Sequence, residues 1–174
     1  RDLDKIEERL EVDLGRDLMT DDRDEDYYPQ FDHSLRLEAS KMSEHYEVFY
    51  CLETSIRRLV AATLEASEGE QWWDQAVPQA VKDSVALNLK RELDSGFTLR
   101  SDAEIDYTTF GELAEIVRKN WTAFDTLFSS PKAFSRIMSS LNQLRGPIAH
   151  CCPLAEDEVV RLRLVIRDWF RLME

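Results

Sequence analysis

Arg145 and His150 stand five positions apart in Leu-Asn-Gln-Leu-Arg-Gly-Pro-Ile-Ala-His, residues 141–150, and form a minimal kit for phosphodiester chemistry. A guanidinium keeps its proton throughout the working pH range and presents a planar fork of N–H donors to phosphate oxygens. An imidazole titrates near neutrality, so it can both take and give a proton. Arginine would stabilise the charge developing on a phosphoryl centre while histidine moved the proton. In a chain with sixteen arginines and three histidines the spacing alone is a weak signal, so its surroundings must carry the reading.

The elements that must position the pair read as helical. Ser130-Pro131 is a start signal, with serine at the cap and proline in the first turn. Phe134, Ile137, Leu141, Leu144 and Ile148 then recur at 3-4-3-4 spacing. On an unbroken helix, residues five apart are separated by about 140° around the axis, so Arg145 and His150 would diverge. Gly146-Pro147 predicts an interruption, because proline lacks a backbone donor and disfavours helix at the residue before it. Either a kink there, or a stop at Arg145 and a restart at Pro147, would let the side chains converge.

The same periodicity runs through most of the chain. Leu3, Ile6, Leu10, Leu14 and Leu18 mark an amphipathic helix, followed by the charge run 20–26, read as solvated linker. That run lacks the central glycine and terminal glutamate of a calcium loop. A long helix is predicted over 34–68, its apolar surface including Leu35, Leu37, Tyr46, Phe49, Tyr50, Leu52, Ile56, Leu59, Val60 and Leu64, with Gly69 as its stop. Trp72 and Trp73 cap the core in the connection, another helix runs from Pro78 to Leu93 with Ser95-Gly96 ending it, and residues 96–106 are irregular. Thr109-Phe110-Gly111-Glu112 has capping-box form and opens a helix through Leu113, Ile116, Val117, Trp121 and Phe124. A last helix over 155–173 turns Val159, Leu162, Ile166 and Trp169 inward. Nothing shows the alternation of a half-buried strand, and five glycines and five prolines are few for the turns of a β protein. The expected fold is all-α: a bundle of about five or six helices over residues 33–174, preceded by the N-terminal helix and linker of residues 1–32.

The net charge of −13 argues against bulk affinity for nucleic acid. Its distribution matters more. Residues 1–40 carry 6 basic and 14 acidic groups and residues 41–112 carry 7 and 14, but residues 113–174 carry 9 and 7. Local attraction to phosphate is therefore expected in the section holding Arg145 and His150, and a broad basic surface is not. Cys51, Cys151 and Cys152 do not read as a disulfide framework, which points to a reducing cytoplasm. The Cys-Cys pair beside His150 has neither zinc-type spacing nor a matching second half, so no metal is expected. No glycine-rich phosphate loop is visible, no cofactor is expected, and no apolar run reaches membrane-spanning length. A start at Arg1 rather than methionine is what a trimmed chain or an excised domain would show.

Residues 141–150, followed by Pro-Leu-Ala-Glu-Asp-Glu-Val at 153–159 and Arg-Asp-Trp-Phe-Arg-Leu at 167–172, resemble a HEPN-superfamily domain. Tyr50–Arg57, Asp106–Leu113 and Arg118–Trp121 support the likeness, which covers about 45–174. The subtype it resembles is the one attached to PIN-type endoribonucleases of RNA surveillance and found in bacteria. The resemblance implies a helical bundle, a homodimer with facing Arg-x4–6-His motifs, and a metal-independent endoribonuclease acting in RNA processing, as a toxin or as an antiviral effector. It maps Arg145 and His150 onto the catalytic pair. An RNA 2′-hydroxyl would attack its own phosphate, His150 serving as base or acid, or as both if two protomers each contribute one. One departure is Gly146, where a polar residue, often asparagine, usually follows the arginine.

Simpler roles stand beside these. His150 would otherwise cap or pack at a helix junction, and Arg145 would pair with Glu53 or Glu156. Glu53 either orients the site by bonding the arginine or the histidine, or forms a structural ion pair. Asn142, one turn before Arg145, could help position phosphate. His33 and His45 lack partners at recognisable spacing, and Trp121, Phe124, Trp169 and Phe170 read as core aromatics. The alternative to the nuclease is a catalytically weak HEPN module that dimerises or senses a partner, such as an antitoxin or an attached effector domain.

Overall fold

The computed structural model describes residues 30–174. The helix expected over residues 3–18 and the acidic linker after it lie outside the described residues. The chain separates into two compact units, 1–40 and 41–174. Of the first, the described part holds the opening turns of α1 (His33–Glu68).

In the second unit, α1 turns Phe49, Leu52, Ile56, Val60 and Leu64 inward at three- and four-residue steps, and all five are buried. It ends at Gly69, whose φ of +79° is a conformation only glycine adopts without strain. A short α2 (Trp72–Ala76) leads past Pro78 into α3 (Gln79–Ser95), which stops at left-handed Gly96. The irregular stretch that follows contains a single 3-10 turn, Glu104–Tyr107. α4 (Phe110–Lys119) opens with both bonds of the expected capping box: Glu112 N–H donates to Thr109 Oγ1 at 3.3 Å, and Thr109 N–H donates to Glu112 Oε2 at 2.6 Å. α5 (Trp121–Phe124), α6 (Pro131–Ala149) and α7 (Glu156–Arg171) complete the bundle. Ser130 caps α6 by accepting from Ala133 N–H, with Pro131 in the first turn.

Among the described residues the fold is all-helical, with seven α-helices and no strand. One helix was expected from Thr109 through Phe124, and the chain instead breaks at Asn120 (φ −109°, ψ 33°). The Asn120 side-chain amide donates to Ile116 O at 2.8 Å and to Ala76 O at 3.0 Å, an alternative to the helical ladder that short polar side chains offer.

α6 packs against α4 and α7. Between them Phe124, Phe128, Phe134 and Trp169 are buried, with Trp121 partly buried at the edge and ring centroids 5.0–6.3 Å apart. Each such ring withdraws enough apolar area to contribute about 2–3 kcal/mol. Phe170 departs from the expectation: it is 58% exposed, lining an apolar groove between α1 and α7. So do Tyr46 and Tyr50 on α1, each 61% exposed, and the exposed Leu35 and Leu37. Among the described residues, no helix is long and apolar enough to cross a membrane.

Candidate active site

Helix α6 does not break at Gly146-Pro147. It continues to Ala149, and His150 N–H still donates to Gly146 O at 3.1 Å. The expected restart at Pro147 is thus corrected, and the reason lies in Gly146. Proline disfavours helix in its predecessor partly through a clash with that residue's Cβ, and glycine has none. Pro147 also falls in the last turn, where its missing donor costs a single ladder bond. The helical register therefore separates Arg145 and His150 by about 140° around the axis.

The chain reverses immediately after. His150 is the C-terminal cap residue, Cys151 takes φ +54°, Cys151 N–H donates to Ile148 O at 3.3 Å and Cys152 N–H to Pro147 O at 2.8 Å. This is the Schellman arrangement, with cysteine where glycine is usual. It leaves His150 exposed at the tip of α6.

Arg145 is held from α1. Its Nε donates to Glu53 Oε2 at 2.8 Å, and the other carboxylate oxygen accepts from Arg57 Nη2 at 2.9 Å. Glu53 is only 15% exposed, so this charge-assisted pair is better shielded from water than a surface bridge. Arg57 is itself fixed to the 3-10 turn, donating from Nε to Ile105 O at 3.1 Å and from Nη2 to Thr108 O at 3.2 Å. Of the two partners weighed for Arg145, Glu53 is the one present. It bonds the arginine and not the histidine. The Arg145 side chain remains 38% exposed, and its Nη1 and Nη2 donors meet no hydrogen-bond partner among the described residues. Asn142 is exposed one turn earlier on α6.

Arg145 also lines a cleft of about 220 Å³ with Tyr46, Tyr50, Glu53, Arg57 and Ile148. On its other side it borders a wider groove of about 690 Å³ that includes Arg91, Glu92, Phe97 and Arg100. There Glu92 accepts from Arg100 N–H at 2.5 Å and Arg100 Nε at 2.6 Å. Desolvation pushes the Glu92 carboxyl upward, but the Arg100 hydrogen bonds and charge outweigh it and hold the group below its ordinary range.

Sequence reasoning missed Arg57, Arg91 and Arg100, and it counted Tyr46 and Tyr50 as core surface. The four-residue spacing of Glu53 and Arg57 was a readable signal. Nothing local announced Arg91 and Arg100, which the fold brings in from α3 and the loop beyond it. Among the described residues, no group of three or more His, Cys, Asp or Glu side chains is placed to hold a metal ion.

The family model described as Swt1-like HEPN matches residues 47–174, which include Glu53, Arg57, Arg145 and His150. The chain belongs to the Swt1-like HEPN family. Comparison with curated proteins and with solved structures gives no significant match. In this Swt1-like HEPN domain the Arg-x4-His pair sits on the last turn of α6, the arginine braced against α1 and the histidine open to solvent.

Proposed function

We propose that this Swt1-like HEPN domain is a metal-independent endoribonuclease whose working site combines Arg145 of one protomer with His150 of a second. The observation that carries the reading is the Glu53-braced guanidinium, with its terminal donors turned to a groove and an exposed imidazole on the same helix end. Residues five apart lie about 140° apart around a helix, so in this reading the histidine that serves the phosphate at Arg145 comes from a second copy.

In the reaction His150 takes the proton of an RNA 2′-hydroxyl as its oxygen attacks the adjacent phosphorus. The Nη donors of Arg145 stabilise the negative charge that builds on the non-bridging oxygens. The P–O5′ bond breaks, and the 5′ oxygen takes a proton from water. The products are a 2′,3′-cyclic phosphate and a 5′-hydroxyl end. DNA has no 2′-hydroxyl and is not cleaved. RNA processing, toxin–antitoxin control and antiviral defence are the settings that suit such an activity.

The test is incubation of the purified protein with a structured RNA in EDTA, beside Arg145→Ala and His150→Ala. Cleavage in EDTA that both substitutions abolish supports the proposal. Cleavage that EDTA abolishes, or that survives either substitution, contradicts it.

One observation favours a second reading, a catalytically weak module for dimerisation or partner sensing. Gly146 supplies no side-chain donor beside Arg145, and Arg145 is already partly engaged by Glu53. A wild-type protein that dimerises but leaves RNA intact would select this reading.

A further inference from the structure

Three depressions share residues around Arg57. The cleft at Arg145 and the wider groove have Glu53, Arg57 and Arg145 in common, and a third hollow of about 510 Å³ adds Arg58 while sharing Arg57, Arg100 and Asp106 with the groove. Through these shared side chains they adjoin one another as a track on a protein whose overall charge is −13. Five arginines border it (57, 58, 91, 100 and 145) against three carboxylates, Glu53, Glu92 and Asp106. Arg57, Arg100 and Arg145 are tied to those carboxylates, but Arg58 and Arg91 are exposed and make no ion pair with a described residue.

Aromatic rings stand at both ends. Phe97 is 79% exposed beside Arg91 and Arg100, and Tyr46 and Tyr50, 61% exposed with centroids 6.2 Å apart, flank Arg145. Large exposed rings are costly in water and useful as stacking surfaces. Arginines that follow a backbone, interleaved with open rings, are the recurring design of single-strand nucleic-acid grooves. A duplex keeps its bases stacked and offers no free base faces to these rings.

We infer that this track binds an unpaired segment of RNA, with phosphates on Arg58 and Arg91 and a base stacked on Phe97, and feeds its scissile linkage to Arg145. The inference rests on the endoribonuclease reading. Specificity then lies in the single-stranded state of the RNA rather than in base-edge hydrogen bonds. An acidic peptide would also answer the arginines, but it would leave the rings unused.

The experiment measures fluorescence anisotropy of a labelled single-stranded RNA on the His150→Ala protein, with Arg58→Glu, Arg91→Glu or Phe97→Ala added. Arg163→Glu and Arg167→Glu, exposed on α7 and outside the track, make the same charge change as controls. The expected result is a loss of roughly fivefold to tenfold for each track substitution, with the salt slope reduced by about one for each arginine. The α7 controls should move affinity by less than about twofold, and the duplex should bind at least about tenfold more weakly. Equal losses from the α7 controls, equal duplex affinity, or displacement of the RNA by a polyglutamate of matched charge would overturn the inference. The nuclease reading fails separately: wild type that binds through the track without cleaving sinks it, whereas wild type that cleaves with KM unmoved by the track substitutions sinks the track.

Discussion

Glu53 Oε2 accepts a hydrogen bond from Arg145 Nε at 2.8 Å, joining two side chains 92 residues apart in sequence. This contact fixes which way the guanidinium fork faces, since Nε is taken and only the terminal donors are available to a ligand. Glu53→Gln keeps an acceptor but removes the charge and one lone-pair partner. It should slow RNA cleavage by about tenfold, the worth of a weakened charge-assisted bond of about 1.4 kcal/mol. Melting temperature should fall by only a few degrees, because Arg57 retains its two backbone carbonyls. Kinetics and thermal denaturation of the same preparation check both halves; an unchanged rate would make the pair purely structural.

Cys151 occupies the left-handed position of the Schellman turn with φ +54°. A non-glycine residue there costs about 1 kcal/mol relative to glycine. Cys151→Gly should therefore raise stability by about that amount in denaturant titration, against the usual loss when glycine replaces another residue. Because the turn sets where the exposed His150 is presented, cleavage should persist in this variant.

Much of the scaffold is legible because its signals are local. Thr109 and Glu112 announce a capping box, Ser130-Pro131 announces a helix start, and Gly69 and Gly96 announce stops; each is chemistry within four residues of sequence. The inward stripe of α1 follows from spacing alone. Of the kink or stop expected at Gly146-Pro147, the stop does not occur, because the rule against helix before proline depends partly on a Cβ that Gly146 lacks. Asn120 was missed because its side-chain amide finds Ala76 O across the fold, a partner no local pattern names. Arg145 and Glu53 were both visible as candidates, and their pairing was one of two weighed. The arginines on α3 and beyond were invisible as site residues, since only tertiary packing sets them beside α1. Tyr46 and Tyr50 carry the spacing of core residues, and spacing cannot tell a buried face from the rim of a cleft.

Glu92 is held below the ordinary carboxylate range by Arg100, which defines a pH window. A carboxyl whose folded value lies below its unfolded one contributes stability above the unfolded value and loses it as pH falls through the folded one. Acidification from neutrality to well below 4.5 should therefore loosen the loop that carries Arg100, and Glu92→Gln should remove this part of the dependence. The contribution is modest because Arg100 is exposed. Hydrogen exchange at the Arg100 amide, which donates to Glu92 Oε1, follows it directly: exchange in the wild type should approach that of Glu92→Gln only at acid pH.

The measurement that tests the central claim most directly is complementation between Arg145→Ala and His150→Ala protomers in an RNA cleavage assay with EDTA. If each site takes its guanidinium from one chain and its imidazole from the other, a mixed dimer retains one intact site. Each variant alone should then be inactive, and an equilibrated equal mixture should regain about a quarter of wild-type activity. A mixture that stays as inactive as its parts, alongside a wild type that cleaves, would contradict the account.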